Sequence, residues 1–237
     1  TTFNDYIFYE KETSNLFATG RRWLGEEFSL ENQQTFEIPF PNAVQNEPLK
    51  IRVRAVGVSG LTSSMKVNVN SQELFSLNFL AISSDSNNMA SDRIGSENFS
   101  NPSSTVSVLL DYDNGGNPSA RAYLDFIEIS GKKQLISDGL QFSFRNFSAA
   151  NTLGIVEYQL QNSQNIYQIW EVTDHTNVTR IANESSSSTN FSFKAVGGDL
   201  KEYIVVSEND YYTPETVANA SIENQNLHAL KDINYLL

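Results

Sequence analysis

Hydrophobic and polar residues alternate with a period of two along most of this chain. Ile51, Val53 and Ala55 are interleaved with Arg52 and Arg54, and Met65, Val67 and Val69 with Lys66, Asn68 and Asn70. Val106, Val108 and Leu110 repeat the pattern, as do Leu140, Phe142 and Phe144. Successive side chains of a strand point to opposite faces, so each run offers one face to a core and one to water, as antiparallel sheets require. Turn residues separate the runs: Pro41-Asn42, Asn70-Ser71 and Asp113-Asn114-Gly115-Gly116-Asn117-Pro118. The last predicts a hairpin with an extended tip joining 104–112 to 120–130. Helical signals are confined to 29–32 and 214–220, each too short for a packing helix. The chain is therefore expected to be all-β.

The spacing predicts two β-sandwiches. A jelly-roll-like sandwich spans 1–132 and is closed by the strand 120–130. Gly131-Lys132-Lys133 reads as a connector to a smaller, immunoglobulin-like sandwich over 133–208, with strands at 140–145, 155–160, 165–172, 190–195 and 203–206. Glu184–Thr189 is a serine-rich loop inside it. From 209 the chain is polar and acidic and reads as a linker; Ile233-Asn234-Tyr235-Leu236-Leu237 then forms an apolar run. That run either opens a further, truncated domain or docks back as a last strand. The start at Thr1-Thr2-Phe3, without Met, leads to the expectation of an upstream segment.

Composition narrows the function classes. The chain has 237 residues with 39% hydrophobic and 11% aromatic content, enough for a folded core. Its net charge of −12 and the lack of a Lys/Arg cluster interleaved with aromatics argue against nucleic acid and against anionic membrane surfaces. Cysteine is absent, which removes disulfides, thiolate metal sites and a cysteine nucleophile from this chain. No apolar run approaches the length of a membrane helix.

Candidate chemistry is sparse. The two histidines, His175 in a turn and His228 near the end, form no metal or catalytic spacing with each other, and no catalytic residue is assigned. Asp111 and Asp113 are weak candidates for a metal ligand pair. The position equivalent to the last ligand of an EF-hand loop is Ala122, so that motif fails, and a turn built on Asp, Asn and Gly explains the residues equally well. No cofactor is expected. Gly20-Arg21-Arg22-Trp23-Leu24-Gly25-Glu26-Glu27 is the most unusual segment. Trp23, with Arg21 and Arg22, makes either a contact site for a sugar ring or partner, or an anchor loop packed over the sandwich with its charges paired. Six N-x-S/T sequons, at Asn98, Asn146, Asn177, Asn183, Asn190 and Asn219, matter only in a host that glycosylates them.

Several phrases together resemble a known family. Asp5-Tyr6-Ile7-Phe8-Tyr9-Glu10-Lys11-Glu12 and Gly20–Phe28, then Ala122-Tyr123-Leu124-Asp125-Phe126-Ile127-Glu128-Ile129, are similar to stretches of the PorU family, the gingipain-like sortases of the bacterial type IX secretion system. Gln141–Arg145, Ile169–Val178 and Asn224–Leu230 resemble further stretches of that family, in the same order. The resemblance implies a region preceding a cysteine peptidase domain. It also implies a parent protein at the outer-membrane surface or in the periplasm, which trims C-terminal sorting domains from cargo and couples the cargo to lipopolysaccharide. The implied partners are secretion-system outer-membrane proteins and cargo sorting domains. The family's catalytic residues lie beyond Leu237, so none transfers to this chain. The alternative reading is a carbohydrate- or lipopolysaccharide-binding module.

Overall fold

The structure is a computed structural model and describes residues 1–16, 22–83, 88–101, 103–184, 189–207 and 210–216. The first part of the chain forms β1 (Thr2–Glu10), β2 (Glu27–Phe28), β3 (Gln33–Pro39), β4 (Leu49–Val58) and β5 (Ser63–Val69). It continues with β6 (Gln72–Phe79), β7 (Ser91–Phe99), β8 (Thr105–Asp113) and β9 (Arg121–Gln134). The second part contributes β10 (Phe142–Arg145), a single helical turn α1 (Phe147–Ala150), β11 (Ile155–Gln161), β12 (Ile166–Glu171), β13 (Thr179–Ala182), β14 (Asn190–Val196) and β15 (Glu202–Ser207). The protein is all-β, built of antiparallel sheets packed as β-sandwiches.

In the first sandwich β1, β9, β4 and β7 form one layer and β3, β8, β5 and β6 the other. The alternation read from sequence is what fills the space between them. Ile51, Val53, Ala55, Met65, Val67, Val106, Val108 and Leu110 are all fully buried there, with Phe28 and Phe40. In the second sandwich β10, β15, β12 and β13 face the two-stranded sheet β11–β14 over an aromatic core that includes Phe144, Tyr158, Phe191, Phe193 and Tyr203.

The two sandwiches share a layer. β1 pairs with β9 over its whole length and touches β10 on its other side, so a nine-stranded sheet crosses both units. Gly131-Lys132-Lys133 is therefore strand, not connector: Gly131, Lys132 and Lys133 pair with Asp5, Asn4 and Phe3. A Cβ on Gly131 would lie 2.3 Å from Leu49 Cδ2, so glycine here serves close packing rather than a bend. Phe3 and Leu135 belong to the second core, while Ile7 and Tyr9 pack on the first.

The predicted hairpin at 113–118 is also corrected. β8 pairs with β3 and β5, and β9 with β1 and β4, so the turn carries the chain from one layer to the other. Its chemistry was legible; its partners were not. Gly115 has φ 63° and a Cβ there would meet Thr62 O at 2.0 Å, which excludes any other residue without a shift of the backbone. Residues 29–32 form a bend instead of a helical turn, and 214–216 carry no helix; 217–220 lie outside the described residues. Leu140 precedes β10 and is exposed, so the apolar face of that run begins at Phe142. The helical turn α1 was not anticipated; the Asn146 side chain caps it by accepting from the Ser148 N–H at 2.9 Å.

Candidate binding surface

The outer face of the shared layer, away from the first core, carries an unusual density of paired charge and exposed aromatic rings. Its organiser is a β-bulge. Arg54 pairs with Phe126 and Ala55 with Leu124, which leaves Asp125 as the extra residue on β9. The bulge turns Asp125 onto the outer face, where its carboxylate is nonetheless buried. Arg22 reaches it with Nε at 3.1 Å and Nη2 at 2.5 Å, and Arg54 Nε lies at 3.5 Å. Asp92 on β7 completes a quartet, accepting from Arg22 Nη1 at 2.7 Å and Arg54 Nη2 at 2.6 Å.

The quartet and a set of main-chain bonds together hold residues 22–26, the strap that carries Trp23, against the sheet. The Thr13 and Ser14 N–H groups donate to the Leu24 carbonyl at 2.9 and 2.8 Å, and the Gly25 N–H donates to Leu124 O at 2.7 Å. Leu24 then seals against Val56 and Tyr123. At the foot of the strap the Tyr9 hydroxyl donates to Glu26, whose carboxylate also pairs with Lys11 Nζ at 2.8 Å. Within residues 22–26 the side chains that hold the chain to the sheet are Leu24, by packing, and Arg22, by its pair with Asp125. Trp23 itself is 45% exposed and presents its ring to solvent. Arg21 lies outside the described residues.

Burial alone would raise the Asp92 carboxyl; hydrogen bonds from Arg54 and Arg22, with their charges, outweigh it and bring it from 3.8 to about 2. A carboxylate depressed in the folded state contributes stability above its unfolded value and loses it as the pH falls through the folded one. The pH window is thus about 4 down to 2. Asp92 is two-fifths exposed, so the contribution is screened to about 1 kcal/mol or less. Asp92→Asn should accordingly flatten the loss of urea resistance between pH 4 and pH 2, and an unchanged acid limb would show that the quartet does not act on Asp92.

Toward the second sandwich the same face opens into a groove of about 530 Å³. Asn4, Tyr6, Lys50, Glu128, Arg145 and Phe147 are among its walls. The Arg145 guanidinium stands 5.5 Å from the Tyr6 ring centroid and 5.7 Å from that of Phe147, and pairs with Glu202 at 3.1 Å. Next to Tyr6, Phe8 stacks on Phe126 at 4.7 Å, and Arg52 lies over Phe126 at 5.7 Å while pairing with Glu128. These residues suit contact with a partner through rings and cations. They provide no nucleophile–base arrangement.

The other sequence candidates are not brought to this face. Asp111 and Asp113 sit on β8 in the opposite sheet. Asp113 Oδ1 accepts the Gly115 N–H at 3.0 Å, and Asp111 lies in register between Gln33 and Lys66. Among the described residues no three His, Cys, Asp or Glu side chains group as a metal site. His175 is exposed in the loop between β12 and β13, where Asp174 accepts from the Thr176 N–H at 2.9 Å. His228 and the apolar run 233–237 lie outside the described residues, as do 217–237 as a whole. Sequence reasoning missed Tyr6, Phe8, Asp125, Arg145 and Phe147. Only Asp125 left a signal there, a carboxylate set between Leu124 and Phe126 in a largely apolar stretch.

No family model matches the chain, and neither does any curated protein. Among solved structures, the crystal structure of dimeric latent PorU from Porphyromonas gingivalis superposes with a TM-score of 0.74 and 18% identity. The match covers 90% of this chain and 21% of that one, so the chain spans about a fifth of PorU. At that identity the likeness establishes a shared fold. A carbohydrate-binding module, CBM36 in complex with calcium and xylotriose, overlaps 53% of this chain and 98% of its own at a TM-score of 0.35 and 15% identity. The CBM36-1 domain of a multidomain xylanase from the hindgut metagenome of Trinervitermes trinervoides also gives 0.35, over 53% of this chain and 95% of its own, at 8% identity. Overlaps that loose carry no argument about a ligand.

Proposed function

We propose that this chain is the non-catalytic β-region of a PorU-like, gingipain-type sortase of a type IX secretion system, lying ahead of its cysteine peptidase domain. The observation that carries the reading is the fold correspondence with PorU over 90% of the chain. The ordered sequence phrases from Asp5 to Leu230 support it independently, and the absence of cysteine is consistent with a peptidase nucleophile located elsewhere. In this reading the sandwiches position the peptidase or contact secretion partners at the outer membrane, and the outer face bearing Tyr6, Arg145 and Phe147 is the contact surface. The domain division is proposed as 1–132 and 133–208, with 209–237 leading into the peptidase, although β1 and β9 tie the two sandwiches through one sheet.

Two measurements test it. An antibody to this chain should detect, in the envelope fraction of the source cells, a protein several times heavier than 26.5 kDa. The immobilised chain should then retain outer-membrane secretion components or cargo sorting domains from detergent extracts. A native band near 26.5 kDa would overturn the sortase reading. Retention of no such component would overturn the partner role.

The exposed ring of Trp23 favours a second reading, a glycan- or lipopolysaccharide-binding module. A tryptophan fluorescence titration with anionic polysaccharides should respond in the parent chain and not in Trp23→Phe. No response in the parent excludes this reading.

A further inference from the structure

Among the described residues, the shared layer has a gap between two neighbouring strands. β1 and β10 are neighbours, yet they pair at one position only, Asn4 with Arg145, and diverge beyond it. On its other side β1 is fully paired with β9 from Thr2 to Glu10. Main-chain groups of successive strand residues point to opposite edges. The Thr1 carbonyl accepts from the Leu135 N–H that follows β9, whereas the Thr2 carbonyl accepts from Asn146 on the β10 side. The even positions therefore face away from β9. Asn4 meets Arg145, but the N–H and C=O groups of Tyr6, Phe8 and Glu10 have no strand opposite them among the described residues.

The gap is bounded at both ends. Arg145 closes one end, and Thr13 and Ser14, bonded to Leu24, close the other. Between them Asp5–Glu10 offers roughly 20 Å of edge, at about 3.3 Å per residue. A second groove of about 390 Å³ lies in this wedge, walled by Asp5 and Tyr6 on one side and Ser143, Phe144, Val172 and Glu202 on the other. The side chains of Tyr6 and Phe8 stand exposed beside it.

We infer that this notch is a peptide-binding site, in which an extended segment of a partner protein adds as a strand to the open edge of β1. Unpaired main-chain groups supply affinity for any extended backbone, and the adjoining side chains select among sequences. Tyr6 and Phe8 favour apolar side chains on the outer face. Glu10 and Glu12 are exposed at the strap end and have no ion-pair partner among the described residues, while Asp5, Glu26 and Glu202 are each already paired with a cation. The partner segment therefore carries Lys or Arg at the end that lies by Glu10 and Glu12. This inference does not depend on the sortase reading; it holds for any parent protein that presents this face.

The probe is a fluorescein-labelled peptide, Lys-Lys-Val-Thr-Val-Thr, followed by anisotropy with the complete chain. Saturable binding that weakens with salt is expected. Methylating alternate backbone amides of the peptide should abolish binding in one phase and preserve it in the other, because only one set of amides meets β1. Phe8→Pro removes the N–H that faces the notch without touching a bond to β9, and should weaken binding at least about tenfold, about 1.4 kcal/mol. Phe8→Ala keeps the N–H and should retain binding within about threefold, the ring being the lesser contact. Should Phe8→Pro fail to fold by circular dichroism, the two methylation phases on the unaltered protein decide. Absence of saturable binding, or equal binding by both methylated peptides, overturns the proposal. Concentration-dependent self-association that disappears in Phe8→Pro would also overturn it, by giving the notch to a second copy of the chain.

Discussion

Tyr203→Ala is expected to destabilise the protein by about 3–5 kcal/mol, the cost of removing a large ring from a core that cannot collapse around the space. Tyr203 is fully buried at the centre of the second sandwich. Its ring stacks on Phe144 at 5.1 Å and meets Phe193 at 5.2 Å and Tyr158 at 5.3 Å. It also stands in β15, which pairs with both β10 and β12, so neither neighbouring strand can move in without giving up its ladder. Urea unfolding would measure the loss, and a change below about 1 kcal/mol would mean that this core repacks freely. The two tryptophans extend the test, since Trp23 reports on the first sandwich and Trp170 in β12 on the second. Because Phe3 and Leu135, at the ends of shared strands, are buried in the second core, single-tryptophan variants should show one coincident transition.

The next largest effect is expected at the strap. Arg22→Ala should cost about 3 kcal/mol, the lower end for breaking a buried ion pair, because Arg54 remains near Asp125. The Asp125 side chain is only 7% exposed, and Arg22 supplies its two closest hydrogen bonds. Without Arg22 a carboxylate held on the bulge keeps one contact at 3.5 Å. Asp125→Ala should be milder, since both arginines are about one-third exposed and retain Asp92. A double-mutant cycle on urea midpoints should return a coupling of at least about 1 kcal/mol between Arg22 and Asp125. Additive effects would show that the strap is held by Leu24 alone.

Both predictions rest on residues whose visibility in the sequence differs sharply. Tyr203 lies in an apolar run that announces a buried strand. Asp125 lies in an equally clear strand, but its role depends on a bulge against Arg54, and on Arg22 reaching it from another part of the chain. β7 and β13 illustrate the opposite failure. Ser91–Phe99 alternates only weakly and is half exposed because it forms a sheet edge, so little apolar area marks it. Thr179–Ala182 is an edge strand of one apolar pair in a polar context. The proposed binding notch was invisible for a related reason: Tyr6, Phe8 and Glu10 read as the solvent side of an ordinary strand. Nothing in their order says that no described strand lies opposite them.

The amino-acid sequence by itself determined the all-β class, the inward faces of β4, β5 and β8, the turn at Asp113–Pro118, and the exclusion of cysteine chemistry. These are local properties, set by side-chain alternation, by backbone conformations that only glycine or asparagine adopts easily, and by composition. Tertiary structure alone decided that β8 and β9 lie in different layers, that Gly131–Lys133 is strand, and that β1 serves both cores. It also decided that Asp125 turns outward to Arg22 and that β1 and β10 part after a single pair. Strand pairing is made by main-chain groups that every residue carries, so the partner of a strand is chosen by how whole faces fit together.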